Sequence, residues 1–285
     1  MSRANTGPLG RKRHWLFDLV PLAVCFAILV GVSFLPPDNA RAQVDRLGRL
    51  SVCMPSQYPP LVTGDPDRPG FEVELVAEIA ERLGWRLNVV SNPAMGRDFN
   101  PRNWRINRAQ CQMLAGGIAL NDTTRSFLDT SRPHLITGWA LIADEGVTID
   151  TLTGPVGFFA GLTGLDRIAL GQFLRQRDLA ATIEVDAGSL RAGLEAGEYQ
   201  GAITEGLLAA QTFGQTGFTV SILGAPLDRF ALGMGFWKGD LTLKRAVEGA
   251  LARIGADGTL VAIAERYGLE SDVLCLPSEA ADCRD

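Results

Sequence analysis

Gly116-Gly117-Ile118-Ala119-Leu120-Asn121-Asp122-Thr123-Thr124-Arg125 is an apolar run that ends in a polar turn carrying one arginine. Together with the preceding Met113, it reads as a buried strand from Met113 to Leu120. Arg125 then falls just past the strand's carboxyl end, the edge at which open α/β sheets bind ligands. A planar guanidinium there can hold a carboxylate by two parallel charge-assisted hydrogen bonds, a geometry that lysine does not reproduce. The competing reading of Arg125 is a helix cap, or a surface pair with Asp122 or Asp129.

On both sides of this stretch strand-like runs alternate with helical ones, which predicts an α/β chain with mainly parallel sheets flanked by helices. Upstream, Leu50 to Met54 reads as a strand and is followed by a proline-rich turn. In the next helix Leu75, Val76, Ile79, Ala80 and Leu83 share one face, with Gly84 as its C-terminal cap. Arg86 to Val90 is a second strand, and residues 92–110 read as loop and helix. Downstream, Trp139 to Ala143 is a strand broken at Asp144-Glu145-Gly146, a candidate hinge. A second alternation runs from Pro155 through Gly201 to Thr204, where an apolar run ends in Glu205. Ala231 to Trp237 is the last long strand, and two amphipathic helices close the chain.

The first 42 residues have the order of a secretory signal: Arg3, Arg11, Lys12 and Arg13, an apolar run from Leu19 to Leu35, then Ala40-Arg41-Ala42. Cleavage is expected after Ala42, which places the mature chain outside the cytoplasm, in the periplasm. An uncleaved membrane anchor is the alternative, since the apolar run is 17 residues long. Removing this segment takes away five basic and two acidic residues and leaves 22 basic against 30 acidic. That excess of negative charge argues against nucleic acid or an anionic membrane surface as partner.

Cys25 belongs to the apolar core of the signal, so four cysteines remain: Cys53, Cys111, Cys275 and Cys283. An even number in an exported chain predicts two disulfides, for which three pairings exist. The preferred pairing is Cys53 with Cys111, at two neighbouring strands, and Cys275 with Cys283, across a short proline-containing loop. Free thiols are the alternative. One histidine, His134, is left for metal binding and no closely spaced ligand pair accompanies it, so neither zinc nor another cofactor is expected.

Several segments resemble the extracellular solute-binding proteins of family 3, the polar amino acid receptors of ABC importers. They are Leu50-Ser51-Val52-Cys53 with Tyr58-Pro59-Pro60, Gly70-Phe71-Glu72-Val73-Glu74-Leu75, Ala80-Glu81-Arg82-Leu83-Gly84, Ala115-Gly116-Gly117-Ile118 with Thr124-Arg125, Gly197 to Glu205, Ala256-Asp257-Gly258-Thr259-Leu260, and Glu265-Arg266-Tyr267-Gly268. Each is short, but their order and spacing run through the whole mature chain. The resemblance implies a two-lobed periplasmic binding fold, with residues 43–143 and 234–285 in lobe 1, residues 144–233 in lobe 2, and hinges near Ala143-Asp144 and Gly233-Met234.

It also implies that Arg125 holds a ligand carboxylate, that Glu205 holds an α-amino group from the second lobe, and that Tyr58 covers the ligand. Where the family usually has hydroxyl residues ahead of the arginine, this chain has Asp122, Ala119 and Leu120, and Asn121 and Thr123 are the substitute donors. The family's aromatic-Ser-Asp-Pro-Tyr element is altered to Thr130-Ser131-Arg132-Pro133-His134. The expected function is capture of a small carboxylate-bearing solute, an amino acid or a relative, for an ABC permease in the membrane, by a monomer that does no chemistry. The alternatives are an accessory protein of a periplasmic quinoprotein dehydrogenase system and a dehydratase-like enzyme on the same fold.

Overall fold

A computed structural model of the chain describes residues 11–33, 38–95, 101–161, 165–276 and 283. Arg3 of the signal's basic region and part of the 92–110 segment therefore lie outside the described residues. The chain divides into two compact units, residues 1–38 and 39–285. The first contributes helix α1 (Arg11–Ser33), which contains Pro21. Leu22, Phe26 and Leu29 of α1 are largely exposed. Among the described residues no helix is long and apolar enough to cross a membrane.

The second unit opens with α2 (Ala40–Leu47), β1 (Arg49–Met54), α3 (Phe71–Arg82) and β2 (Arg86–Ser91). There follow β3 (Met113–Ala119), α4 (Asp122–Phe127), β4 (Leu128–Thr130) and β5 (Leu135–Thr137). Next come β6 (Trp139–Ala143), β7 (Val156–Phe158), α5 (Arg167–Arg175), β8 (Ala181–Ile183) and α6 (Ala187–Glu195). The remaining elements are β9 (Gly201–Glu205), α7 (Gly206–Phe213), β10 (Thr219–Ile222), β11 (Phe230–Trp237), α8 (Leu241–Ala256) and α9 (Thr259–Arg266). The expected cleavage point after Ala42 falls inside α2, of which Ala40 and Val44 are buried.

These strands form two sheets. One has the order β2-β1-β3-β11-β4, with β5 also paired to β11, and the other has the order β10-β6-β9-β7-β8. Central strands are apolar throughout because both their faces are covered: every residue of β3, β6 and β9 is buried. The edge strands β2, β8 and β10 are mostly open to solvent. The sheets are mixed rather than mainly parallel. β1 with β2 and β3, and β7 with β8 and β9, run parallel, whereas β11 with β3, β4 and β5, and β6 with β9 and β10, run antiparallel. The antiparallel partners are the strands next to the points where the chain passes between sheets, a long-range arrangement that local patterning does not encode.

Those crossing points also differ from expectation. Trp139–Ala143 was assigned to the end of lobe 1, but β6 pairs entirely within the second sheet. The chain therefore changes sheets at Gly138, between β5 and β6, and not at Ala143-Asp144. It returns between Ile222, the end of β10, and Phe230, the start of β11, rather than at Gly233-Met234. The physical reason is pairing: Gly233 and Met234 sit in the middle of β11, which is fixed along its length by β3, β4 and β5. The two crossings lie together, since the Leu223 amide donates to the Trp139 carbonyl at 2.7 Å.

Both disulfides join the preferred pairs. Cys53 and Cys111 have Cα atoms 5.6 Å apart, and Cys275 and Cys283 5.7 Å apart. Cys53 is the fifth residue of β1 and pairs with Leu114 of β3. The bond thus ties the loop entering β3 to β1.

Candidate functional site

β3 bends at its double glycine. Gly116 and Gly117 have φ of +94° and +89°, and a Cβ on Gly116 would lie 2.3 Å from the Pro55 ring. Only glycine adopts that backbone at so close an approach. The bend takes two backbone amides out of the ladder, and both donate to the fully buried carboxylate of Glu72 at the start of α3, Gly117 at 3.2 Å. His134 Nε2 lies 3.0 Å from the other oxygen of Glu72. Its ring stacks on Phe71, and its Nδ1 is buried with no hydrogen-bond partner among the described residues. His134 is thus part of a buried structural cluster beneath the bend.

Beyond the bend, Asn121, Thr123 and Arg125 lie together on and around α4. Asn121 is the N-cap, and its side-chain oxygen accepts from the Thr124 amide at 2.8 Å. Asp122 is exposed in the first turn, where a negative charge suits the helix dipole. Thr123 is exposed and Arg125 half-buried, one turn on. Asp129, one of the surface partners weighed for Arg125, is bonded to Lys238 at 3.1 Å and to the Gly239 amide at 3.0 Å.

The second group of expected residues comes from both sheets. Tyr58 lies in the turn after β1, where its backbone exchanges two hydrogen bonds with Val62. Its hydroxyl donates to Glu205 Oε2 at 2.6 Å. Glu205 ends β9 and caps α7, accepting from the Leu207 amide at 2.9 Å and the Leu208 amide at 3.0 Å. The Thr137 hydroxyl, at the end of β5, donates to its Oε1. Burial pushes the Glu205 carboxyl up from its ordinary value, against the opposing pull of Thr137, Tyr58 and the two amides. Four donors therefore converge on one carboxylate at the place where the two sheets meet.

Thr137 and Thr204 escaped the sequence reading. Thr137 is the polar end of a short apolar run, Leu135-Ile136-Thr137, too short to show a period. Thr204 precedes Glu205 and buries a hydroxyl with no partner among the described residues. Gly206 shows why α7 can begin so near β5: a Cβ there would lie 2.6 Å from Ile222 Cδ1 and 3.2 Å from Thr137 Oγ1.

The model of the bacterial extracellular solute-binding proteins, family 3, matches residues 50–270. The chain belongs to this family. It is 24% identical over 261 residues to the L-cystine-binding protein TcyJ of Escherichia coli strain K12, an alignment covering 86% of this chain and 92% of that protein. Among solved structures, an ancestral cationic amino acid solute-binding protein aligns with a TM-score of 0.66 at 18% identity, covering 79% of this chain and 98% of its own. A substrate-binding protein of an ABC uptake transporter from Streptococcus pneumoniae, with bound histidine, aligns with a TM-score of 0.64 at 16% identity, covering 81% and 96%. The two-sheet α/β architecture is thus that of the family's two-lobed binding proteins.

Proposed function

We propose that this family member captures a small carboxylate-bearing solute, an amino acid or a close relative, in the cleft between its sheets and hands it to an ABC permease. The observation that carries this reading is the 2.6 Å hydrogen bond from Tyr58, in the turn after β1, to Glu205, at the end of β9 in the other sheet. It sets an aromatic and a buried acid from opposite sheets against each other, while Arg125 stands at the carboxyl end of β3. In this reading the lobes are residues 39–137 with 230–276, and 139–222.

Arg125 clamps the carboxylate, with Asn121 and Thr123 beside it, and Glu205 takes the ammonium. A zwitterion entering the cleft loses the hydration of both charges, and each charge-assisted hydrogen bond returns about 1.5 to 3 kcal/mol. The two partners stand on different lobes, so the return is complete only when the lobes are closed, which couples closure to binding. The Tyr58 hydroxyl is the donor whose place on Glu205 the ligand's ammonium takes. The protein does no chemistry, acts as a monomer, and reaches the periplasm through an N-terminal signal removed after Ala42. The amino acids named for the relatives support this ligand class.

A thermal-shift screen of amino acids, with L-cystine and L-histidine among them, names the solute, and titration calorimetry then tests the clamp. Arg125→Lys keeps the charge and loses the fork, so affinity falls by about 2 kcal/mol, near thirtyfold. Unchanged affinity removes the carboxylate clamp and the amino acid reading with it.

A further inference from the structure

A cavity of about 340 Å³ lies beside the crossing points of the chain, on the far side of Thr137 and Leu207 from the Tyr58–Glu205 contact, and none of Tyr58, Asn121, Thr123, Arg125 and Glu205 lines it. Its volume is in the range that holds a small ligand. Both sheets contribute: Ile136 and Thr137 come from β5, Leu207 from α7, and Val220 and Ile222 from β10, with Val273 of the C-terminal segment facing them. The wall is mainly apolar. Three charged side chains complete it: Arg229, from the return crossing, and Glu270 and Asp272, from the segment after α9. None of the three has a side-chain ion pair or hydrogen bond among the described residues, although other surface charges of this chain, such as Arg177 with Asp150, are paired.

One cation and two anions left unpaired at the edge of an apolar hollow match a ligand that carries both charges at one end of an apolar body. A carboxylate there takes the guanidinium fork of Arg229, an ammonium takes Glu270 or Asp272, and the body displaces water from the apolar wall. We propose that this cavity is a second small-molecule site, for a compact zwitterion with an apolar body. Its wall includes Thr137 and Leu207, both hydrogen-bonded to Glu205, so an occupant touches the same residues as the inter-sheet contact from the other direction. The site does not depend on which solute the cleft accepts.

The test uses the full chain and L-phenylalanine as probe, with 3-phenylpropionate, which lacks the ammonium, and phenethylamine, which lacks the carboxylate. Methyl NMR is expected to show saturable shifts at Ile136, Val220 and Ile222. Ala210 lines the cavity from an exposed helical position, so Ala210→Trp fills it without entering the core. That variant abolishes these shifts. Arg229→Ala weakens phenylalanine and 3-phenylpropionate at this site by about tenfold or more and leaves phenethylamine unchanged. Arg125→Lys leaves all of these shifts in place even as it weakens binding in the cleft, so failure of the two sites is distinguishable. The proposal is overturned by shifts that survive Ala210→Trp, by shifts lost in Arg125→Lys, by Arg229→Ala acting on all three probes alike, or by no saturable response up to about 10 mM probe.

Discussion

Two carboxylates are fully buried among the described residues, Glu72 at the start of α3 and Glu205 at the start of α7, and they are satisfied in opposite ways. Every partner of Glu72 belongs to the first sheet or the turns around it: the amides of Gly116 and Gly117, and His134. Glu205 accepts two amides from its own helix and two hydroxyls from the other side, those of Tyr58 and Thr137. A buried acid whose donors all share one layer holds that layer in shape. One whose donors come from two layers holds only as long as the layers stay together. The first arrangement is architecture, and the second is what the proposed solute site requires.

Three substitutions test this difference between Glu72 and Glu205. Glu72→Leu strands two buried amides and the His134 ring, and is expected to cost about 3 to 5 kcal/mol of stability in urea denaturation. A loss under 1 kcal/mol, on the scale of a single ordinary hydrogen bond, would mean that water or a shifted backbone serves those amides. Tyr58→Phe removes one bond to a charged group, worth about 1.5 to 3 kcal/mol, and shifts the balance of closed to open by at least about tenfold. Scattering of the ligand-free variant should give a larger radius of gyration than the wild type, and an unchanged radius would make Tyr58 a packing residue.

The smallest effect is a pH dependence. Burial raises the folded-state pKa of Glu205 above its ordinary 4.5. Its contribution to stability is therefore fully present below pH 4.5 and lost as pH rises through the raised value. Glu205→Gln lacks that titration, so its stability relative to wild type should improve as pH climbs through this window. Parallel stability curves for the two proteins would contradict the raised pKa.

Much of this was legible in the sequence where the signal is local. Met113–Ala119 and Trp139–Ala143 are unbroken apolar runs that only a covered strand explains, and both disulfide pairs follow from short loops and neighbouring strands. The polar turn carrying Arg125 was legible as a strand's end, and α4 turned out to start there. What escaped depends on pairing. Nothing within Trp139–Ala143 says which sheet it joins, so the crossing at Gly138 was placed five residues late. The three-residue strands β4 and β5 are too short to show a period, and the contact between Glu72 and His134 spans 62 residues of chain. Glu205 was found as an acid at a strand's end, but its two donors from the other sheet, 147 and 68 residues away, leave no trace in the residues beside it.

Trp139 follows the crossing residue Gly138 directly and is 1% exposed. Its indole donates to the Asp166 carbonyl at 3.2 Å and lies 5.6 Å from the Phe158 ring, while its own carbonyl accepts from Leu223 at the return crossing. Trp139 therefore touches both crossings, and a rotation of one sheet against the other, as the proposed closure requires, would alter its surroundings. If the lobes close as proposed, a chain keeping Trp139 as its sole tryptophan would report solute capture by emission colour alone, with no dye attached.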